Sequence, residues 1–254
     1  MELLEEKIAR LVKEEVAVVP YDPHWSEIFE RERRHLQACL PEDLIKRIEH
    51  IGSTAVPGLS AKAIVDILVE VASLDETRQQ IVPILEAQGY DYFWRPSWGD
   101  DTPPFYAWFI KRDKNGNRTH HIHMVESHFE HWDRLLFRDY LIEHPDVARE
   151  YGNLKLRLSE THQNDRVAYT QAKSEFVRRV TARAKEHYEK AQQVHAPDPP
   201  RARRVCSGQL AIAGRGTSCI EPGTVPVGRE TVLAVPVNRR SPAKWGLHPR
   251  HDES

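Results

Sequence analysis

The sequence predicts an α+β fold, a mixed β-sheet with helices on one face followed by a C-terminal helical segment. Three observations predict it. Five short stretches rich in aliphatic and aromatic residues, Ile45–Ile51, 63–71, 90–94, 105–111 and 119–125, read as strands. Helical periodicity precedes the first of them and separates the second from the third. From residue 129 onward only helical patterns follow, over 129–143, 146–161 and 165–193.

Taken in order, residues 1–15 place Leu3, Leu4, Ile8, Leu11 and Val12 at helical spacing among charges, the pattern of an amphipathic helix that caps the core or meets a partner. Residues 16–19 read as a short apolar strand. Asp22 or Ser26 then offers an N-cap to a helix carrying Trp25, Ile28, Phe29, Leu36 and Leu40 and ending near Pro41. The strand Ile45–Ile51 runs into a Gly52-Ser53 corner, where backbone N–H groups can face a ligand without an intervening Cβ. The next strand, 63–71, is aliphatic except for Asp66 and Glu70. A helix over 74–88 is closed by Gly89. Residues 113–117, Asp-Lys-Asn-Gly-Asn, supply hairpin chemistry between the last two strands.

Composition divides the 254 residues into one domain over 16–195, behind the N-terminal helix, and a tail. The tail, 196–254, holds 8 of the 17 prolines and 6 of the 12 glycines without sustained periodicity, and is expected to be disordered. It carries 9 Lys/Arg against 5 Asp/Glu, leaving 27 against 33 for the first 195 residues. A net-acidic body argues against an extended nucleic-acid footprint but permits a local basic pocket. Cys39, Cys206 and Cys219 are too far apart to suggest a disulfide framework or a cysteine zinc site. No window has the length of a membrane span and the N-terminus lacks signal-peptide regions, so a cytoplasmic location is expected.

Asp66 is the most informative residue. A carboxylate inside an aliphatic strand is costly without a metal ion, a cation or hydrogen bonds. His121 and His123, two apart on a strand, point to one face with Cα atoms about 7 Å apart, which lets both imidazoles reach one ion. If that strand neighbours Asp66, the three residues form a metal or catalytic set. The bland alternatives are an Asp66 paired with a nearby lysine or arginine, and histidines that hydrogen-bond Asp66 or a helix end. Gly52, Ser53 and Thr54 are the expected phosphate cradle, Lys62 a countercharge to Asp66, and His50 and Arg138 possible pocket residues. Lys155 and Lys173 each lie one helical turn beyond a tyrosine, Tyr151 and Tyr169. Both lysines either snorkel to solvent or reach over the sheet as phosphate contacts.

The segments 50–59 and 62–69, His121-x-His123 and Phe137-Arg138-Asp139-Tyr140-Leu141 together resemble the GrpB-like family of the nucleotidyltransferase (polymerase-β-like) superfamily, over about 16–188. The resemblance implies a nucleotide or other phosphorylated small molecule as ligand and a divalent metal, Mg or zinc-like, held by the strand aspartate and a second acid two positions on. That second position is Leu68, which departs from the pattern. Two functions follow as expectations. One is metal-dependent nucleotidyl or phosphoryl-type transfer to a small acceptor. The other is a non-catalytic binding or accessory module, similar to the segment fused to dephospho-coenzyme A kinases.

Overall fold

The computed structural model describes residues 6–7, 10–11, 14–97 and 103–194. Five strands form one sheet, β1 (Ile45–Ile51), β2 (Val65–Val71), β3 (Asp91–Pro96), β4 (Phe105–Arg112) and β5 (Arg118–Val125), in the order β1-β2-β5-β4-β3. Only β2 and β5 are parallel, so the sheet is mixed as expected. The β1–β2 register pairs Ile51 with Asp66, and the β2–β5 register pairs Asp66 with His121 and Leu68 with His123.

Alternation then sorts the side chains. Ile67, Val69, Ile122 and Met124 are fully buried on one face, against α1 (His24–Cys39) and the helix α2 (74–87), whose middle turn Thr77–Ile81 is π-helical. Trp25, Phe29 and Leu36 of α1 lie on the stripe read from the sequence, and Asp22 accepts from the His24 N–H at 2.9 Å at its start. Asp66, Leu68, His121 and His123 occupy the opposite face, together with Ile51, Tyr106 and Trp108. Over that face lie α3 (Asp133–Glu143), α4 (Pro145–Thr161), α5 (Arg166–Ala172) and α6 (Ser174–Val194). Leu135 of α3 packs on the sheet, while Phe137, Leu141, Tyr151, Phe176 and Val180 make a second core with Val56 and Leu59 of the β1–β2 connection.

Three expectations are corrected. Residues 16–19 form no strand: Val19 makes a single bridge to Ala61, with both backbone hydrogen bonds formed. The predicted 165–193 helix is two helices, because the chain turns at Lys173 after an Asp165-capped first segment. The loop after Phe129 enters α3 through a short 3₁₀ turn, Glu130–Trp132. Of the expected 1–15 helix, residues 6, 7, 10 and 11 are helical and most of the others lie outside the described residues, as does the 196–254 tail.

Candidate functional site

The site grows from the Gly52–Asp66–His121 contact. Gly52 has φ +74° and ψ −169°, a conformation open essentially to glycine alone. A Cβ built there would lie 2.6 Å from Asp66 Oδ2, so the corner needs glycine to let the carboxylate stand beside it. On its other side Asp66 Oδ1 is 3.0 Å from His121 Nδ1. Burial acts to raise the Asp66 pKa, but the His121 hydrogen bond and the charges of His121, Lys62 and Lys173 outweigh it, and the carboxyl titrates below its usual range. Burial lowers His121 to about 4 against the pull of Asp66. At neutral pH the pair is therefore a carboxylate accepting from a neutral imidazole, with Nδ1–H as donor. His121 Nε2 is buried without a partner.

Around this pair the helical layer brings cations. Lys155 is 2% exposed, with its ammonium 4.6 Å from the Tyr151 ring centroid and donating to the Ser60 carbonyl. The Nζ atoms of Lys62 and Lys173 lie 5.4 and 5.1 Å from the centroid of the buried Tyr169 ring. Snorkelling, the alternative for the two Tyr-x-x-x-Lys pairs, does not describe Lys155. Burial lowers the pKa of all three lysines, Lys155 to about 7, with Lys173 adding repulsion on the other two. Arg166 also feels the Asp66 charge, but it is shared with Glu14 at 3.4 Å. Glu14, which also accepts from Arg112 and forms an ion pair with Arg118, thus ties the N-terminal segment to the first turn of α5.

A second locus lies further along β5. His123 does not reach Asp66; its ring nitrogens are 3.4 and 3.5 Å from Arg134 Nη1 of α3. His131 completes the cluster, 5.9 Å from the His123 ring and 4.5 Å from Tyr106, centroid to centroid. Burial holds His123 well below its ordinary pKa and His131 at about 2, so both are neutral.

Other expected site residues serve elsewhere. His50 pairs with Ile67, on the face opposite Asp66, where its ring stacks on Phe29 at 4.8 Å and its Nε2 is 3.0 Å from Thr54 Oγ1. That removes His50 from the pocket and commits the Thr54 hydroxyl to it. Ser53 instead meets the buried Tyr151 hydroxyl. Arg138 donates to Glu49, to the His50 carbonyl and to Asp139 at 3.1, 2.8 and 2.7 Å, bracing α3 on the end of β1. Its Nε and Nη1 are thereby committed to groups of the protein itself.

The expected metal set does not assemble. Among the described residues no group of three His, Cys, Asp or Glu side chains is placed to hold a metal ion. Leu68, at the second-acid position, is wholly buried, and the groups surrounding Asp66 are cationic. This donor set does not fit a protein-held divalent ion.

Sequence reading passed over Arg134, Arg166, His131 and Tyr106. The two arginines did leave a trace. Each stands in the first turn of its helix, where the macrodipole disfavours a cation, and such placement points to a compensating anion.

The fold and site together define a class: an α+β domain whose mixed sheet carries an aspartate–histidine pair among cations, under a helical layer. The family model described as GrpB protein matches residues 15–183, and the chain belongs to the GrpB family. The glutamate-rich protein GrpB of Alkalihalophilus pseudofirmus is 36% identical over 65% of this chain and 93% of its own length. The UPF0157 protein YqkA of Bacillus subtilis is 37% identical over 68% of this chain, which spans 48% of that relative. A dephospho-CoA kinase of Mycolicibacterium paratuberculosis is 26% identical over 69% of this chain and 47% of its own length. The crystal structure of GrpB from Enterococcus faecalis superimposes with a TM-score of 0.60 at 33% identity, covering 68% of this chain and 99% of that one. Among the described residues no helix is long and apolar enough to cross a membrane.

Proposed function

We propose that the cationic site around Asp66 binds a phosphorylated small molecule directly through its ammonium and guanidinium groups. One observation carries the reading. Lys62, Lys155, Lys173 and Arg134 gather within electrostatic reach of the one carboxylate of Asp66, and none of the four makes an ion pair with an acidic side chain among the described residues. Two unit charges 7 Å apart repel by roughly 2 kcal/mol at an effective dielectric of about 20. A bound anion offsets that repulsion, which otherwise adds to burial in lowering the lysine pKa values.

The β1–glycine corner–β2 arrangement with Asp66 supports a nucleotidyltransferase-like descent, and a nucleotide is a natural candidate ligand. Leu68 in place of a second carboxylate favours binding over metal-dependent nucleotidyl transfer. The likeness to part of a dephospho-CoA kinase supports a second form of the same reading, in which the domain binds a ligand as an accessory module without chemistry of its own.

A thermal-shift screen of inorganic phosphate, nucleotides, coenzyme A and sugar phosphates tests the proposal. A ligand at 100 times its Kd stabilises by about 2.7 kcal/mol. The shift is expected to disappear in Lys62→Gln and Lys173→Gln. No shift with any phosphorylated compound would reject the reading. Product formation from a nucleotide that shifts the wild type separates transfer from binding alone.

A further inference from the structure

We propose that this cationic site takes a ligand with two separated anionic groups, one held by Lys62, Lys155 and Lys173 and the other by Arg134 against the His123 and His131 rings. This rests on the anion-binding reading above and specifies its ligand. The cations fall into two sets because they attach to different levels of β5. The lysines surround Asp66, which is level with His121, while Arg134 stands on His123, two residues further along. That step is about 7 Å on a strand. The two sets are nevertheless neighbours: Lys173 feels the charge of Arg134, and Asp66 acts on both sets.

The Arg134 locus has the features of a built but unsatisfied site. Its guanidinium is half-buried and faces an imidazole instead of a carboxylate. His123 is 6% exposed and His131 5%, and the His131 Nε2 has no hydrogen-bond partner. Tyr106, 3% exposed, closes the wall beside both rings. Arg112 and Arg138 are tied to carboxylates; Arg134 makes no ion pair with a carboxylate among the described residues. A planar guanidinium fork suits a phosphate or carboxylate bidentately, and an imidazole beside it can supply a further hydrogen bond. One contiguous polyphosphate on the lysines would leave this second locus empty. Two anions set apart fill both.

A spacer series reads the separation. Isothermal titration calorimetry of the full chain would compare inorganic phosphate, pyrophosphate and alkane bisphosphonates with one to six methylenes between the phosphorus atoms. Affinity is expected to peak at a spacer of roughly three to five methylenes, where the phosphates bridge the strand step, and to exceed that of phosphate at least tenfold. Arg134→Gln should flatten the series, costing the bisphosphonates of three to five methylenes at least tenfold more affinity than it costs phosphate. Arg134→Lys, which keeps the charge without the fork, should fall between and controls for folding. Lys173→Gln should weaken every compound. Affinity that declines steadily with spacer length would overturn the inference, as would an Arg134→Gln loss equal for phosphate and bisphosphonates. In those cases phosphate still binds and the simpler anion-binding reading stands. If phosphate and the whole series fail to bind, both fall together.

Discussion

A methyl group on Gly52 would lie 2.6 Å from Oδ2 of Asp66. The glycine corner and the strand carboxylate are therefore one structural unit, and substitution at the corner acts on the site through Asp66. Gly52→Ala combines a backbone conformation costing about 1–3 kcal/mol with displacement of the carboxylate from His121. Gly58 has φ +77° but open space around its Cβ position, so Gly58→Ala should cost about 1–2 kcal/mol, the left-handed penalty alone. Urea denaturation of the two variants checks this, with Gly52→Ala expected to be the less stable by at least about 1 kcal/mol. Equal losses would mean the close approach is not real.

Asp66→Asn separates direct anion binding from metal-mediated binding. Removing the one negative charge among Lys62, Lys155 and Lys173 should leave phosphate affinity unchanged or tighten it several-fold in the absence of divalent ions. The same change should cost roughly 1.5–3 kcal/mol of stability as the charged hydrogen bond to His121 is lost. Calorimetry with and without Mg²⁺ decides. A wild type that binds phosphate only with Mg²⁺, and loses it in Asp66→Asn, would restore the metal set of Asp66, His121 and His123.

Lys155 sets a pH dependence on the alkaline side. Its folded pKa of about 7 lies below the ordinary 10.5, so between those values the unfolded chain binds a proton the folded one does not. The resulting penalty is complete below pH 7 and fades as pH rises to 10.5. Wild type should gain stability relative to Lys155→Met across that window, in urea titrations at successive pH values. Anion binding should draw a proton onto Lys155 near pH 8, measurable as a buffer-dependent calorimetric enthalpy. A flat difference between the two proteins would place Lys155 at its ordinary pKa.

Acid should act through buried imidazoles. Burial lowers His50, His120 and His121 each to about 4 from 6.5. Their stabilising contribution is present in full above pH 6.5 and is lost as pH falls through 4. The unfolding free energy should therefore drop across that window more steeply than the roughly 1.4 kcal/mol per pH unit of a single group. A shallower slope in pH-dependent denaturation would show that these rings are protonated at little cost.

Arg138→Ala tests the division between brace and ligand site. It should lower the unfolding free energy by about 1–3 kcal/mol through loss of the Glu49 and His50 carbonyl contacts, with phosphate affinity within twofold of wild type. A large affinity loss in a fully folded variant would return Arg138 to the pocket.

The strands were legible because each announces itself locally. Ile45–Ile51 was read to its last residue, and 63–71 differs only in where pairing begins, at Val65. Asp66 was legible for the same reason, as an anion among aliphatic neighbours. His121 and His123 were correctly put on one face by their spacing, but their partners were not. Spacing cannot say that a helix beginning at Asp133 lowers an arginine onto the second ring. His50 was misjudged because its face relative to Asp66 depends on the β1–β2 register, which the connection between the strands fixes.

By itself the sequence determined the succession of elements, the glycine corner and the isolated strand carboxylate, since periodicity, turn chemistry and desolvation act over a few residues. The tertiary structure alone decided which charges meet. Lys155 and Arg134 come from two different helices and Lys173 from the turn between two others, a turn that helical periodicity had run straight through. Their convergence is set by the burial of Phe137, Tyr151 and Phe176, each about one helical turn from one of these cations, in a core that joins segments far apart in sequence. Hydrophobic packing is non-directional and long-range in the chain, so its product, a cluster of one anion and several cations, has no local signature to read.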